Sequence, residues 1–330
     1  MINAAIIGSG IGLKHFEAIN GYRTSKVKII CENNKKKIKE LKSKFKNVKI
    51  TSDENEIFKN KEINLVSIAS YDDDHFSQIK KCIKYNKHII VEKPMCLNTN
   101  QLNQIKILLK RKPKIKIISN LVLRRNSLFD GFKKKININD IFYIEADYIW
   151  GRRYKLFQWR SKIKEYTVTL GAGIHMIDLI MWILNKKPLF VTSFSNKIVT
   201  KKTNFKKQSF LIYIFEFSKD IIVKITANAA GIYNHYHEVK IFEKNKTLVN
   251  NFLGSYMFNK KGLKTYCKRL NYKYPDKKNR KKIIQEFIDI LIEKKSNSII
   301  SFKEQYDLMK VCFAADRSLN LKKRIKIEYK

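Results

Sequence analysis

Ile2-Asn3-Ala4-Ala5-Ile6-Ile7-Gly8-Ser9-Gly10-Ile11-Gly12 is an apolar run interrupted once, at Asn3, that closes on alternating glycines. A short apolar strand that ends in glycines and passes into a helix lets the backbone approach a pyrophosphate at the helix amino terminus. Gly8, Gly10, Ile11 and Gly12 are therefore the candidate phosphate-facing positions. The spacing is GxGxG, because Leu13 stands where GxGxxG would have its third glycine, and a glycine turn without a ligand is the competing reading. Glu32 closes the next apolar run, where an acidic side chain takes the adenosine ribose hydroxyls and repels a 2′-phosphate. NAD is favoured over NADP, with the lysines at 35–37 softening the preference.

Working outward from that stretch, apolar runs predict strands at Ile2 to Ile7, Val27 to Cys31, Val48 to Thr51, Ile63 to Ala69, His88 to Val91 and Ile115 to Ser119. Helical periodicity falls between them at Lys35 to Phe45, Asp74 to Asn86 and Thr99 to Arg111, the last capped by Asn98 or Thr99. Such alternation predicts a doubly wound parallel sheet, an α/β domain over residues 1–120. After Asn120 the pattern changes. Helices are expected at Ser127 to Lys135 and Gly173 to Leu184, and strands at Ile141 to Trp150, Phe190 to Val199, Ser209 to Phe217, Ile221 to Asn228 and His237 to Glu243. Ser218-Lys219-Asp220 reads as a hairpin turn, so the second domain, residues 121–330, should carry a mainly antiparallel sheet. Two helices, about Arg280 to Glu293 and Ser301 to Leu319, precede a last strand, Arg324 to Glu328, and the last helix is expected to pack back toward the first domain.

At 330 residues and 44% hydrophobic content the chain can bury a real core. No run is long and apolar enough to span a membrane, and the amino terminus lacks a basic leader, so a cytoplasmic protein is expected. Five cysteines without CxxC spacing argue against a structural zinc site or a disulfide framework. The formal charge of +40 would suggest nucleic acid, but only eleven of the 69 basic residues are arginine and the lysines are spread along the whole chain. Runs such as Lys35-Lys36-Lys37, Lys133-Lys134-Lys135 and Lys277-Lys278 read as solvated faces, and no specific nucleic-acid partner is expected.

The fifth predicted strand runs into Glu92-Lys93-Pro94. Parallel sheets bind ligands outside the carboxyl ends of their strands, so Lys93 is placed for chemistry, although a strand also simply leaves a core this way. The fourth strand runs into Ala69-Ser70-Tyr71 and then Asp72-Asp73-Asp74-His75, which puts Ser70 and His75 beside the same cleft, with an aspartate-capped helix start as the bland alternative. In the second half, Thr169-Leu170-Gly171-Ala172-Gly173-Ile174-His175-Met176-Ile177-Asp178 opens a helix on which His175 and Asp178 can share a face. A histidine there can trade protons near neutral pH. His235 and His237 point the same way on a strand but have no third partner nearby in sequence, and no metal site is assigned.

The glycine loop followed by His15, the Lys87-His88 lead-in, Glu92-Lys93-Pro94, the tract around Trp159-Arg160 and the helix from Gly173 to Asp178 together resemble the Gfo/Idh/MocA family of oxidoreductases. That resemblance implies a Rossmann domain and a C-terminal α/β domain whose open sheet serves substrate binding and homo-oligomerisation as a dimer or tetramer. It also implies nicotinamide-dependent redox chemistry on a small sugar or cyclitol. Carried over by position, Lys93 matches the family's lysine that contacts substrate and cofactor, and His175 its proton-relaying histidine; Glu92 joins the cofactor set. The family often has an aspartate four residues before that histidine, where this chain has Gly171, so Asp178 or Tyr166 would have to assist.

Arg124, Arg125, Arg152, Arg153 and Arg160 crowd one part of the chain with Trp150, Tyr154 and Trp159. Aromatic rings stack on sugars and arginines bind carboxylate or phosphate, so Arg124, Trp159 and Arg160, with Lys93, His175 and Asp178, are the candidate substrate residues. The expectation is an NAD-dependent oxidoreductase of an anionic or nucleotide-linked sugar; the alternative is a non-catalytic cofactor-binding sensor or assembly subunit of the same fold.

Overall fold

A computed structural model describes residues 1–272, 274, 275, 278–295 and 300–329; of the pair Lys277-Lys278, only Lys278 lies among them. The chain divides into two units, Met1–Val122 with Lys277–Tyr306, and Leu123–Asp276 with Asp307–Lys330. The first unit thus takes up part of the carboxyl-terminal sequence.

The first unit alternates β1 (Ile2–Ile7), α1 (Gly12–Asn20), β2 (Ser25–Cys31), α2 (Lys35–Lys44), β3 (Lys49–Thr51), α3 (Asn55–Lys59), β4 (Leu65–Ile68), α4 (His75–Lys84), β5 (His88–Val91), α5 (Thr99–Arg111) and β6 (Ile117–Ser119). Its six strands are parallel in the order β3-β2-β1-β4-β5-β6. The order reverses between β1 and β4, so two adjacent carboxyl ends diverge there and open a crevice for a ligand. Asn34 and Asn98 cap α2 and α5, each accepting a backbone N–H from the third residue on. Ile6, Ile19, Ile30, Leu65, Ile90 and Ile118 form the centre of a core that also takes in Ile283, Ile284, Phe287 and Ile288. Those last four belong to the helix Asn279–Leu291, whose apolar face reads i, i+1, i+4, i+5 and so presents one stripe to the sheet.

The second unit holds α6 (Ser127–Lys135), β7 (Ile141–Ile149), α7 (Ile174–Leu184), β8 (Phe190–Asn196), β9 (Phe210–Glu216), β10 (Ile222–Asn228), β11 (Tyr236–Glu243), β12 (Lys246–Asn251), β13 (Gly254–Lys261) and β14 (Lys264–Leu270). The chain continues through α8, the helix Asn279–Leu291 just described, then α9 (Phe302–Leu321) and β15 (Ile325–Lys326). The sheet has nine strands in the order β14-β13-β12-β11-β7-β10-β9-β8-β15, antiparallel except for the β7–β10 pair. Lys219 and Asp220 turn β9 into β10 with φ of 65° and 56°. Strands β12, β13 and β14 have no counterpart in the sequence expectation. Their lysine-rich text hides the alternation: only Leu248 and Asn250 are buried on β12, and β14 is exposed until Leu270. The helix expected from Gly173 begins one residue later and is preceded by a wide π turn over Thr169–Gly173. Such turns are a local widening of the helix that often falls at functional positions. Among the described residues no helix is long and apolar enough to cross a membrane.

Candidate active site

The carboxyl ends of β1, β2 and β4 build a dinucleotide cradle. Gly8 leaves β1 with φ of 89°, and a Cβ there would lie 2.5 Å from the carbonyl oxygen of Ala69, so both the conformation and the space demand glycine. At Gly10 a Cβ would meet nothing within 4 Å: the loop backbone is bare toward open space. Gly12 begins α1, and its absent Cβ makes room for Ile6. Glu32 follows β2 and ties the loop down, accepting the Ser9 and Asn34 backbone N–H groups at 3.0 Å each and the Ser9 hydroxyl. Burial pushes the Glu32 carboxyl up, but the Ser9 and Asn34 donors and Lys37 outweigh it and hold it below the usual range. The group stays ionised, and Oε1 retains capacity for a further hydroxyl donor. These features fit a dinucleotide.

Beside this cradle, β5 delivers Glu92 and Lys93, the latter half-buried and joined to Pro94 by a cis peptide. Behind Lys93 lies a network that the sequence reading did not assemble. His15, fully buried on α1, sets Nδ1 2.7 Å from Ser67 Oγ and Nε2 2.9 Å from Glu92 Oε1. The carboxylate selects the tautomer with its proton on Nε2, leaving Nδ1 to accept from Ser67. Asn120 Nδ2 donates to the same Glu92 oxygen at 2.7 Å, and Arg280 Nε stands 3.7 Å from it. Burial alone would raise the Glu92 carboxyl; His15, Arg280 and Asn120 reverse that and hold it well below the carboxylate range. His75 is also fully buried and donates from Nδ1 to the Pro94 carbonyl at 2.7 Å, so it braces the turn carrying Lys93 from behind. Ser70 donates its hydroxyl to Gln78 at 2.7 Å. Ile11 is exposed at the loop tip.

In the second unit, α7 positions His175 at its second residue, half-buried, with the imidazole stacked on Tyr148 from β7 at 5.6 Å and 8°. Tyr148 also meets His237 on β11 at 4.8 Å and His235, one residue before that strand, at 5.5 Å, both edge to face, so the two support the ring beneath His175. His237 is pulled down to about 3 by burial, then by His235 and Arg152, and remains neutral. Among the described residues no group of three or more His, Cys, Asp or Glu could hold a metal. Arg160 lays its guanidinium 4.1 Å over Trp159, 5.3 Å over Trp150 and 6.0 Å over Tyr166. Lys155 is pulled below its usual value by burial and then by Arg152 and Arg160, which marks three cations drawn together.

Arg124 and Asp178 have another task than the one read from sequence. They are 3% and 1% exposed, and Arg124 grips Asp178 with Nε at 3.1 Å to both oxygens and Nη2 at 2.7 Å. That fork locks α7 to the short turn Val122–Arg125 instead of presenting either group to solvent. Their spacing of 54 residues gives sequence periodicity no means of finding the pair. Arg152 was named in the Arg-rich tract without being chosen as a substrate residue, and Lys155 was missed; its place within that tract was the available signal.

Residues 2–120 match a family model described as oxidoreductase family, NAD-binding Rossmann fold, of the Gfo/Idh/MocA group. Among curated proteins the chain is 27% identical over 111 residues to the uncharacterized oxidoreductase YdgJ of Escherichia coli, covering 33% of this chain and 31% of that one. It is 24% identical over 140 residues to YhhX of the same organism, covering 42% and 40%. The matched stretches thus span well under two thirds of these relatives. Among solved structures, a myo-inositol 2-dehydrogenase from Lactobacillus plantarum superposes with a TM-score of 0.84 at 16% identity over 99% of both chains. A scyllo-inositol dehydrogenase from Lactobacillus casei, solved with NAD(H) and scyllo-inositol, does so with 0.81 at 15% identity, again over 99% of both. At that identity the likeness carries the fold alone, while residues 2–120, the greater part of the first unit, are similar to the NAD-binding Rossmann domain of the Gfo/Idh/MocA oxidoreductases.

Proposed function

We propose that this chain is an NAD-dependent oxidoreductase that moves a hydride between nicotinamide and a CH–OH or ketone carbon of an anionic sugar or cyclitol derivative. When bound, the nicotinamide supplies the two-electron chemistry. The chain's own residues do the rest. Gly8, Gly10 and Gly12 offer bare backbone to the pyrophosphate, and Glu32 takes the ribose hydroxyls. Lys93 is the ammonium that orients the reacting oxygen, and His175 accepts the hydroxyl proton as the alcohol becomes a ketone and returns it in reduction.

The observation that carries the anionic part is the gathering of Arg152, Lys155 and Arg160 in the unit that holds His175. Among the described residues no carboxylate pairs with any of the three. Like charges held together cost free energy that an anion relieves, so a carboxylate, phosphate or nucleotide-linked sugar fits better than a neutral polyol.

The test is NAD(H) binding by titration calorimetry, followed by turnover on a panel of cyclitols, uronates, sugar phosphates and nucleotide sugars. Lys93→Ala is expected to lower kcat/KM on the accepted substrate by about 1,000-fold or more. Absence of NAD(H) binding, or full activity in Lys93→Ala, refutes the proposal. Glu32→Gln should weaken NAD by about tenfold while narrowing its margin over NADP, since the repelling charge is gone. Gly171 favours one further reading, a cofactor-binding sensor without turnover; detectable turnover lost in His175→Ala excludes it. Finally, we take the open sheet as the surface for a homo-oligomer, because Leu263 and Tyr266 at its β13–β14 edge are exposed, and light scattering at working concentration checks this.

A further inference from the structure

The helix α8 joins the first unit from far along the chain, yet it lies there like a crossover helix of the parallel sheet. Its Ile283, Ile284, Phe287 and Ile288 pack into the core with Ile90 of β5 and Ile118 of β6. Its direction is fixed at both ends. Arg280 Nε, at the start, stands 3.7 Å from Glu92 Oε1 just past the end of β5, whereas Lys116 Nζ, just before β6 begins, donates to the Ile290 carbonyl at the far end at 3.1 Å. The helix therefore runs antiparallel to the strands, as α1 does, and brings its amino terminus to the carboxyl edge of the sheet, where the crevice opens.

That helix start is left incomplete by the described residues. Glu92 Oε1 already accepts from His15 Nε2 at 2.9 Å and from Asn120 Nδ2 at 2.7 Å, so both of its acceptor directions are taken. Arg280 is held beside it by charge alone, and its Nε is buried with no hydrogen-bond partner among the described residues. Its side chain is 28% exposed, and the two terminal nitrogens are neither buried nor hydrogen-bonded among those residues. The adjacent Asn279, 5% exposed, has an amide oxygen without a partner among them, and the residue before it gives the helix no side-chain cap. A dinucleotide brings two negative charges to this edge in its diphosphate. The glycine loop meets them with bare backbone only, and a helix amino terminus carries about half a unit charge. Lys14, in the first turn of α1, is committed to Glu17 at 2.8 Å. Arg280 adds a full charge and the planar fork that matches phosphate oxygens.

We propose that Arg280 is a cofactor-binding residue whose terminal guanidinium nitrogens donate to the diphosphate of the dinucleotide. One guanidinium then serves two anions: Nε faces the Glu92 carboxylate, and the outer nitrogens face the ligand. The inference rests on the reading of the glycine loop as a dinucleotide cradle.

The experiment is titration calorimetry of the full chain with NADH, with ADP-ribose, which carries the diphosphate without the nicotinamide, and with adenosine, which carries neither. Arg280→Met keeps the aliphatic stem and removes the charge. It is expected to bind NADH and ADP-ribose about tenfold more weakly than the parent, and adenosine as well as the parent does. Arg280→Lys restores the charge without the fork, so its affinity for ADP-ribose should fall between the two, and it carries the test if the methionine variant does not fold. Equal affinity of parent and variants for ADP-ribose overturns the proposal. An equally large loss for adenosine overturns it too, because Arg280 would then act only by holding Glu92 and the shape of the crevice. Failure of the parent to bind NADH removes the dinucleotide reading itself, whereas NADH bound equally well by parent and Arg280→Met removes this inference alone.

Discussion

Glu92 in the first unit and Asp316 in the second are both carboxylates tucked behind a candidate catalytic residue, yet their proton affinities move in opposite directions. Glu92, next to Lys93, accepts from His15 and Asn120 with Arg280 nearby, and these hold it well below the carboxylate range. Asp316, on α9, accepts from the hydroxyls of Thr167 at 2.8 Å and Thr169, at the entry to the turn before His175. Burial pushes it up to about 6, and the two threonines only partly offset that. Burial acts on both; what differs is whether charge is available to answer it. A hydroxyl satisfies geometry, but a guanidinium also brings positive charge. The side of the molecule is not the cause, for Asp178 sits in the same unit as Asp316 and is answered by a guanidinium.

That contrast breaks most visibly where the paired cation has the most to lose. Asp178→Ala removes the carboxylate from a guanidinium that is 3% exposed. The expected cost is about 3–5 kcal/mol, read by chemical denaturation, because a buried, bidentate ion pair loses one member. Replacing both members together, as in Arg124→Met with Asp178→Leu, should recover most of it. A single variant as stable as the parent would mean that the fork contributes nothing to holding α7.

Glu92→Gln comes next. The amide still accepts from Asn120 and His15, so only the charge is removed, and the expected loss at pH 7 is about 2 kcal/mol. Its pH dependence follows from the sign of the shift. The folded carboxyl is more acidic than the unfolded one, so the charge stabilises above the unfolded value near 4.3 and its contribution fades as pH falls below that. Parent and variant should therefore converge on acidification. A gap that stays constant from pH 7 down to pH 3 contradicts the assignment of His15, Arg280 and Asn120 as the cause.

How far each unit was legible in sequence follows the same division between local and distant causes. Ile2 to Ile7 and the glycines after it encode a strand and a tight turn within a dozen residues, and the parallel sheet follows from repeating that unit. Asn98 announces α5 because a cap acts three residues away. By contrast, the residues that set the charge on Glu92 come from α1, the end of β6 and α8, and those around His175 come from β7 and β11. No spacing in the chain carries those pairings. The hairpins of β12, β13 and β14 failed for a different reason. Lysine and asparagine occupy these strands near the sheet edge, and even where burial alternates, at Leu248 and Asn250 of β12, one of the two inward residues is polar, so no apolar period of two shows in the sequence.

Asp316→Asn carries the smallest effect and the opposite sign, which makes it the sharpest test of the contrast. The folded carboxyl titrates near 6 against an unfolded value near 3.9, so the native state binds the proton more tightly. Its contribution to stability is fullest below the unfolded value and is lost as pH rises through 6; above that, the ionised group is buried against two hydroxyls at a net cost. An amide has no charge to bury and still accepts a threonine hydroxyl. The variant should match the parent near pH 4 and exceed it at pH 7.5 by about 1–2 kcal/mol, with the gain appearing across pH 4 to 6.5. Thermal melts over that range decide the matter. If Asp316→Asn instead loses stability most at high pH, the carboxylate is being answered by a cation after all, with Lys207 the first candidate since it already draws the group downward.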